Sequence, residues 1–224
     1  MAVLYVAIAM GLAVFIPLAI WWSVKRRKAI EAWAAQKGLT VLLGRDSRFD
    51  DRYPAFDCLR RGHGRYAYNI VEGEWNGRRL SAFDYRYVTG SGKNQQTHHF
   101  SATILGSRVP LKPLRIRTEN VFDRVTEFFG VDDIDFESAE FSREFHVRAP
   151  DKRWAYDVLH QRTLEFLLAM PRFSIEFDES NAIAWRDRRF DVGTFEAAIS
   201  VVEGVLDRLP EYVVRQQQEG KGST

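Results

Sequence analysis

The chain has 224 residues, with 32 basic and 30 acidic side chains and a hydrophobic content of 46%. Four of the basic residues are consecutive, at 25–28, so the rest of the chain is slightly acidic. A chain with nearly equal numbers of basic and acidic residues lacks the basic stripe of a nucleic-acid-binding protein, and we expect no nucleic-acid partner. The only cysteine, Cys58, excludes an intramolecular disulfide and suits a reducing compartment.

The N-terminal stretch predicts a transmembrane anchor. Residues 1–24 contain no charged side chain, and the basic run 25–28 follows at once. A helix over residues 2–24 would be about 35 Å long, enough to cross a hydrocarbon core of about 30 Å. A signal peptide would be shorter and would carry positive charge before its apolar part. We therefore assign residues 1–28 to a membrane helix with its basic flank.

The position of the basic run predicts the orientation of the anchor. Positive residues favour the cytoplasmic side, so we expect the N-terminus outside and the following domain in the cytoplasm, on the cell inner membrane. A second basic loop at 59–65 is an additional expected contact with the lipid bilayer. The alternative, that its arginines pair with the aspartates of the same segment (Asp46, Asp50, Asp51 and Asp57), is equally compatible with the sequence. The expected membrane contacts are Trp21, Trp22, Lys25, Arg26, Arg27, Lys28, Arg60, Arg61 and Arg65.

The residues after the anchor predict one α+β domain over 29–210, possibly divisible into halves 39–119 and 120–210. In the first half the pair Asn76-Gly77 favours a type I′ hairpin turn between two alternating segments. The elements expected there are a helix at 28–37 and strands at 39–43, 66–75, 78–88, 97–105 and 114–118. The composition of residues 211–224 predicts a disordered tail.

In the second half, segments with the helical period alternate with segments that have the strand period. The expected elements are helices at 120–129 and 151–170, strands at 141–147, 173–177 and 183–185, and a last helix that ends at Pro210. Phe195, Ile199, Val202 and Leu206 give that last helix an apolar stripe. The order of elements predicts an antiparallel sheet covered by helices, without parallel βαβ units.

Several segments carry a resemblance to a known family. They are Gly90-Ser91-Gly92-Lys93, HHFSATIL at 98–105, DIDFESAEFSREFHV at 133–147 and DKRWAYDVLHQRTLEFLL at 151–168. With one N-terminal span before them, they resemble an uncharacterised bacterial family of single-pass membrane-anchored proteins of unknown function. The resemblance implies the topology given above and a bacterial origin, and it implies no catalytic residue.

No motif of the sequence defines a reaction or a cofactor. The loop 90–93 lacks the first glycine and the following Ser or Thr of a phosphate-binding loop. The acidic run 132–137 has Ser138 in place of the glycine of a calcium loop, and the glutamate at the twelfth position, Glu144, falls in a predicted strand. The candidate metal ligands are His99 and Asp84, with a third ligand from elsewhere. Asp84 falls on an apolar face of its strand, so we expect a structural ion pair, with Arg86 or Arg143 as its partner.

These observations predict a binding or interaction domain of unknown ligand, tethered to the membrane, rather than an enzyme. One alternative is a membrane-anchored hydrolase or metal-dependent enzyme whose site is assembled from distant residues. Another is a subunit of a larger complex, which would have a membrane or cytoplasmic protein as its partner. A deep pocket with converging titratable groups would favour the enzyme.

Overall fold

The computed structural model describes residues 21–118 and 134–220. The predicted anchor, except for its last residues, and the predicted helix at 120–129 lie outside the described residues, as do residues 221–224. Neither described range contains a helix with the length and apolar character needed to span a membrane.

The described chain forms an antiparallel sheet with helices, as the sequence predicts. A first helix, α1, covers residues 21–36, and Gly38 follows it with a φ of 68°. The strands are β1 (Thr40–Asp46), β2 (His63–Trp75), β3 (Arg78–Thr89), β4 (Gln96–Gly106), β5 (Leu114–Thr118), β6 (Phe145–Arg148), β7 (Ser174–Phe177) and β8 (Asn181–Arg186). The further helices are α2 (Ala139–Glu144), α3 (Lys152–Val158), α4 (Gln161–Ala169), α5 (Val192–Leu206) and α6 (Glu211–Gly220).

One sheet runs through both halves of the domain. The strand order is β1-β2-β3-β4-β8-β7-β5-β6, and every pairing is antiparallel. The hairpin of β2 and β3 turns at Asn76 and Gly77, whose φ values of 50° and 73° fit the predicted type I′ turn. Because β4 of the first half pairs with β8 of the second half, the two halves form one continuous sheet.

Both faces of the sheet are covered, by different kinds of structure. On one face α1 and α5 pack through Ile30, Trp33 and Phe195, with the rings of Trp33 and Phe195 stacked at 5.9 Å. On the other face the segment 47–62, which forms only two short 3₁₀ turns (Phe49–Arg52 and Asp57–Leu59), packs Phe49, Phe56 and Leu59 on the sheet. All four residues of β7 are therefore buried, although the sequence predicts one polar face for this strand.

The predicted strand at 141–147 is in fact a helix followed by a strand. Ser138 caps α2 by accepting a hydrogen bond from the Phe141 amide, and β6 begins at Phe145. Phe141 and Phe145 stack at 4.9 Å. Apolar residues four apart satisfy a helical period as well as an alternating one, so the pattern alone did not distinguish the two structures.

Two further predictions about helices need correction. The single helix expected at 151–170 is two helices, α3 and α4, with a break at Leu159 and His160. The His160 Nε2 atom lies 2.9 Å from the Arg208 carbonyl oxygen, a contact that ties the break to the end of α5. Residues 211–220, predicted to be disordered, form α6, because Val213 is buried and the Tyr212 hydroxyl donates to Asp157 at 2.6 Å.

Candidate functional site

The start of β2, the end of β3 and the start of β4 meet at one end of the sheet, which we call the anchor end. The pairing of His63 with Val88 and of Thr89 with Gln96 places two of these termini side by side. Arg186, the last residue of β8, pairs with Ser101, which lies five residues inside β4 and is level with Asp84. The loops 59–63 and 90–95 therefore lie at this end, and the loop 187–190 lies nearer the middle of the sheet, where Asp187 contacts Arg61 of the first loop.

Helix α1 enters the domain near the anchor end through Arg26. The two terminal nitrogens of its guanidinium group donate to both carboxylate oxygens of Asp84, at 2.6 and 2.8 Å. Its Nε atom donates to the Phe190 carbonyl oxygen at 2.6 Å. A bidentate arginine–carboxylate pair combines strength with a fixed geometry. The predicted membrane contact at Arg26 is thus a residue of the domain interior, with 21% of its side chain exposed.

Asp84 is fully buried and has several donors. In addition to Arg26, it accepts hydrogen bonds from the Asn69 amide nitrogen at 2.8 Å and from the Ser101 hydroxyl at 2.5 Å. Asn69 reaches it from a bulge in β2, where its backbone has a φ of 48°. The structural ion pair predicted for Asp84 is present, but with Arg26 rather than Arg86 or Arg143. Those two arginines donate instead to the carbonyl oxygens of Gly64 and Ala139.

The candidate metal pair of His99 and Asp84 is not arranged as a metal site. The Asp84 oxygens already accept from Arg26, Asn69 and Ser101, and His99 Nδ1 lies 3.1 Å from the Tyr68 hydroxyl. Burial, together with the positive charges of Arg189 and Arg86, lowers the pKa of His99 below its ordinary value. Residues 21–118 and 134–220 contain no group of three or more His, Cys, Asp or Glu that could hold a metal ion.

The remaining residues of the anchor flank are exposed. Trp21 and Trp22 are 53% and 59% exposed, and the Lys25 ammonium lies over both rings, at 5.0 and 5.8 Å. Arg27 donates to Glu31 at 2.9 Å on the surface of α1, and Lys28 is exposed. The flank therefore has two parts: Arg26 faces the sheet, and the residues around it face outward.

The three arginines of the loop 59–65 are in different environments. Arg65 donates to Asp50 at 2.9 Å, as the aspartate-pairing alternative expects. Arg61 donates to Asp187 at 3.2 Å and lies over the Trp185 ring, with only 11% of its side chain exposed. Arg60 is exposed and donates to the Pro54 carbonyl oxygen. Of the three, Arg60 is the one most open to solvent.

A second polar cluster lies beneath the segment 47–62. The carboxylate of Glu176 accepts hydrogen bonds from the Asp57 amide at 2.8 Å and from Trp185 Nε1 at 3.3 Å. Asp57 in turn pairs with Arg115 at 3.0 Å. Burial raises the pKa of Glu176, and burial also raises the pKa of the neighbouring Cys58 thiol, which leaves it a poor nucleophile. This cluster fastens the covering segment to the sheet.

A cavity of about 230 Å³ lies between α1 and β1. Its wall includes Ile30, Val41 and Leu42, and its polar lining residues are Arg27, Glu31, Arg45, Tyr68 and Asn69. Arg27 pairs with the single carboxylate among these residues, Glu31. The cavity is small for a ligand site and brings no acid–base pair or nucleophile together.

Sequence reasoning missed two features near the anchor end. The ion pair of Arg26 was not predicted, because Arg26 is one of four consecutive basic residues that were all assigned to the membrane flank. The second feature is the exposed pair Arg188-Arg189, which follows β8. In an antiparallel sheet the end of one strand lies on the side where its neighbour begins, but the sequence does not show that β8 is the neighbour of β4.

The fold and the site define a class: an α+β domain whose antiparallel sheet is covered on one face by helices and on the other by an irregular segment. No family model and no curated protein matches the chain. Among solved structures, the chain is similar to the crystal structure of the mycobacterial trehalose monomycolate transport factor A, TtfA. The TM-score is 0.63 at 11% sequence identity, over 81% of this chain and 93% of that chain. At this identity the similarity shows a shared fold.

Proposed function

We propose that the chain is a single-pass inner-membrane protein whose α+β domain is a binding module on the cytoplasmic face. The uncharged stretch 1–24 is the anchor, and the basic run 25–28 orients it with the N-terminus outside. Residues 29–210 together with the end of the anchor helix form the module. This topology follows from the sequence, and the arrangement of α1 supports it.

The observation that carries the proposal is the change of environment along α1. Trp21, Trp22 and Val24 are about half exposed or more, whereas Ile30, Trp33 and Ala34 are buried in the domain. Exposed tryptophans are costly in water but favourable at a membrane interface. Between these two groups Arg26 donates to Asp84. The helix therefore has the character of a segment that leaves an interface and enters a folded domain within about two turns.

A binding role is favoured over catalysis by the state of the buried carboxylates. Asp84 accepts hydrogen bonds from three side chains, and Glu176 accepts two within the domain. A general acid or base has to exchange protons with a substrate, so groups tied in this way are suited to structural roles. The fold shared with TtfA, whose name describes it as a transport factor for trehalose monomycolate, is in keeping with a lipid-related binding role at a membrane.

A reporter of orientation tests the proposal. Alkaline phosphatase, which works only outside the cytoplasm, should be inactive when it is fused after Thr224, and a fluorescent protein that folds in the cytoplasm should be active there. Replacement of residues 25–28 by neutral residues should scramble the orientation, since this basic run is the charge signal that sets it. Strong phosphatase activity at the C-terminus, or recovery of the full chain in the soluble fraction, would refute the proposal.

A further inference from the structure

We propose that the anchor end of the sheet is a docking surface for the anionic phosphate headgroups of the membrane that holds the chain. Its contact residues are Lys25, Arg60, Lys93, Arg188 and Arg189, which come from α1, from the loops 59–63 and 90–95 at this end, and from the loop 187–190 beside them. This inference rests on the proposed membrane anchorage. Arg61 and Arg65, which were also expected lipid contacts, are replaced in this surface by residues from other parts of the chain.

The first observation is that these five side chains are exposed and form no salt bridge with another described residue. Arg60, Lys93, Arg188 and Arg189 belong to exposed residues, as does Lys25. In the described part of the chain none of them forms a salt bridge, and Asp191 interacts electrostatically with Arg188 at longer range. Arg60 has a carbonyl oxygen, Lys25 has the rings of Trp21 and Trp22, and Arg189 lies 5.9 Å from the centre of the Tyr68 ring. Their charges are thus available to an external anion.

The second observation is that the acidic groups near this end are already engaged. Asp187 pairs with Arg61 at 3.2 Å, and Asp191 caps α5 by accepting from the Thr194 amide at 2.8 Å. Asp84 is buried under Arg26. The pairing of Arg61 and Arg65 inside the domain also removes acidic groups from competition, since Arg65 holds Asp50. The surface field at the anchor end is therefore positive.

The third observation is how far these loops extend toward the membrane along the axis of α1. Counted from the contact between Arg26 and Asp84, Trp22 lies about 6 Å back along the helix, whereas the end of β3 at Val88 lies about 13 Å along the sheet. α1 runs in the same sense as β2, because Arg26 contacts Asp84, which pairs with Tyr68 in the middle of β2, and Trp33 packs on Trp75 at its end. The loops 59–63 and 90–95 therefore reach at least as far toward the membrane as the interfacial tryptophans, and the loop 187–190 lies level with Arg26, which donates to the Phe190 carbonyl oxygen.

Lipid phosphate is the occupant that this arrangement fits best. Guanidinium groups bind phosphate oxygens through paired hydrogen bonds, and each basic residue near an anionic leaflet strengthens the contact about five-fold, which corresponds to ~1 kcal/mol. Binding of a single-stranded nucleic acid would need exposed rings on which bases can stack. The exposed rings near this end, Trp21 and Trp22, belong to the interfacial part of the proposed anchor, whereas the rings of Tyr87 and Trp185 are buried and that of Tyr66 is covered by Arg45 and Arg86.

The experiment uses the full chain in nanodiscs of either phosphatidylcholine or phosphatidylglycerol. Hydrogen exchange of the backbone amides is followed in the segments 59–64 and 186–191 and in the hairpin turn 75–79 at the opposite end. Both loops should exchange more slowly in phosphatidylglycerol, while the hairpin turn should not change. The difference should shrink when salt is raised from ~0.1 M to ~1 M, because the screening length falls from about 10 Å to about 3 Å.

Matched variants separate the surface from general charge effects. Arg188→Gln with Arg189→Gln should reduce the lipid-dependent protection about five-fold for each arginine. Arg79→Gln with Arg108→Gln removes the same charge from exposed residues at the opposite end and should leave the protection unchanged. Thermal unfolding of both variants in detergent shows whether either pair of changes has disturbed the fold.

The outcomes also distinguish this inference from the proposed anchorage. If the chain does not enter nanodiscs of either lipid, the anchorage is wrong. If it enters both and the two loops exchange equally in both, the headgroup surface is overturned while the anchorage stands. Protection in phosphatidylcholine nanodiscs that appears only with added RNA, or only in native membranes with their proteins, would likewise overturn the lipid assignment in favour of those partners.

Discussion

At the scale of single residues, the contact between Arg26 and Asp84 should have a large effect on stability. Asp84→Ala leaves a mostly buried guanidinium group without its counter-charge and removes the acceptor of Asn69 and Ser101. Breaking such a pair costs about 3 kcal/mol or more. We expect a loss of that size in the free energy of unfolding, measured by chemical denaturation of the full chain in mild detergent.

The exposed pair of Arg27 and Glu31 on the same helix is the control for this change. Both of its side chains are about half exposed, and Glu31→Ala should cost about 0.5 kcal/mol or less. Losses of equal size at Asp84 and Glu31 would contradict the view that the first pair is part of the domain interior.

Glu176 should make stability depend on pH. Burial raises its pKa above the ordinary value of 4.5, so the folded chain holds the Glu176 proton more tightly than the unfolded chain does. The free energy of unfolding therefore falls as the pH rises from ~4.5 to the pKa of Glu176 in the folded chain, because ionisation of the buried carboxyl is unfavourable. Glu176→Gln cannot ionise, and we expect its free energy of unfolding relative to the unmodified chain to increase over this window.

The measurement is chemical denaturation of the two chains at a series of pH values. Taking the difference between them cancels the titration of the other carboxyl groups. Glu165→Gln, on an exposed part of α4, is the control and should give a much flatter difference. A constant difference between Glu176→Gln and the unmodified chain across the window would show that burial of Glu176 does not raise its pKa.

At the scale of elements, two glycines of α5 give a matched test of helix packing. A Cβ atom at Gly204 would lie 2.2 Å from the ring of Phe166 on α4, whereas one at Gly193 would have its nearest neighbour at 3.9 Å. Alanine gains about 1 kcal/mol over glycine inside a helix. We expect Gly193→Ala to be neutral or stabilising and Gly204→Ala to be destabilising, as measured by thermal unfolding.

Relief of the contact identifies its cause. Phe166→Leu in the Gly204→Ala background should recover part of the loss, because the shorter side chain leaves room for the new methyl group. A Gly204→Ala variant as stable as Gly193→Ala would mean that α4 and α5 pack less closely than the structure shows.

The sequence predicted those elements whose signals are local. The hairpin at Asn76-Gly77 and the stripe of Phe195, Ile199 and Val202 each depend on neighbouring residues, and each is present. The pattern failed where burial is decided by distant partners. Glu176 has the spacing of a solvent-facing residue and is buried because segment 47–62, more than a hundred positions earlier, lies over it.

The candidate site was predictable only in part for the same reason. The apolar parity of Asp84 showed that it needs a partner, but no rule of spacing identifies Arg26, which is 58 positions away in a run of similar residues. Likewise, the loop 187–190 comes beside the loops of the anchor end only through the strand order, in which β8 pairs with β4. Antiparallel order is set by packing of the whole sheet and is not written in any one segment.

At the scale of the whole molecule, the point at which the chain is shortened should decide its stability. A chain that starts at Trp21 keeps Arg26 and all of the described part of α1. A chain that starts at Ala29 loses Arg26 and leaves Asp84 buried without a counter-charge. We expect the first chain to unfold cooperatively and the second to be less stable by about 3 kcal/mol, measured by denaturant titration.

A third chain that starts at Leu39 extends this test. It lacks Ile30, Trp33 and Ala34, which are buried against the sheet, so it should aggregate or unfold without a cooperative transition. Equal stability of all three chains would show that α1 is an attachment to the domain and not a part of its core.

The bidentate contact of Arg26 also has a consequence for direction. A helix turns by about 100° for each residue, and the two hydrogen bonds to Asp84 fix which side of α1 faces the sheet. An anchor continuous with α1 would therefore hold the domain at one fixed heading relative to the sides of the anchor helix. One residue inserted between Val24 and Lys25 would turn that heading by about 100° and leave the domain itself unchanged.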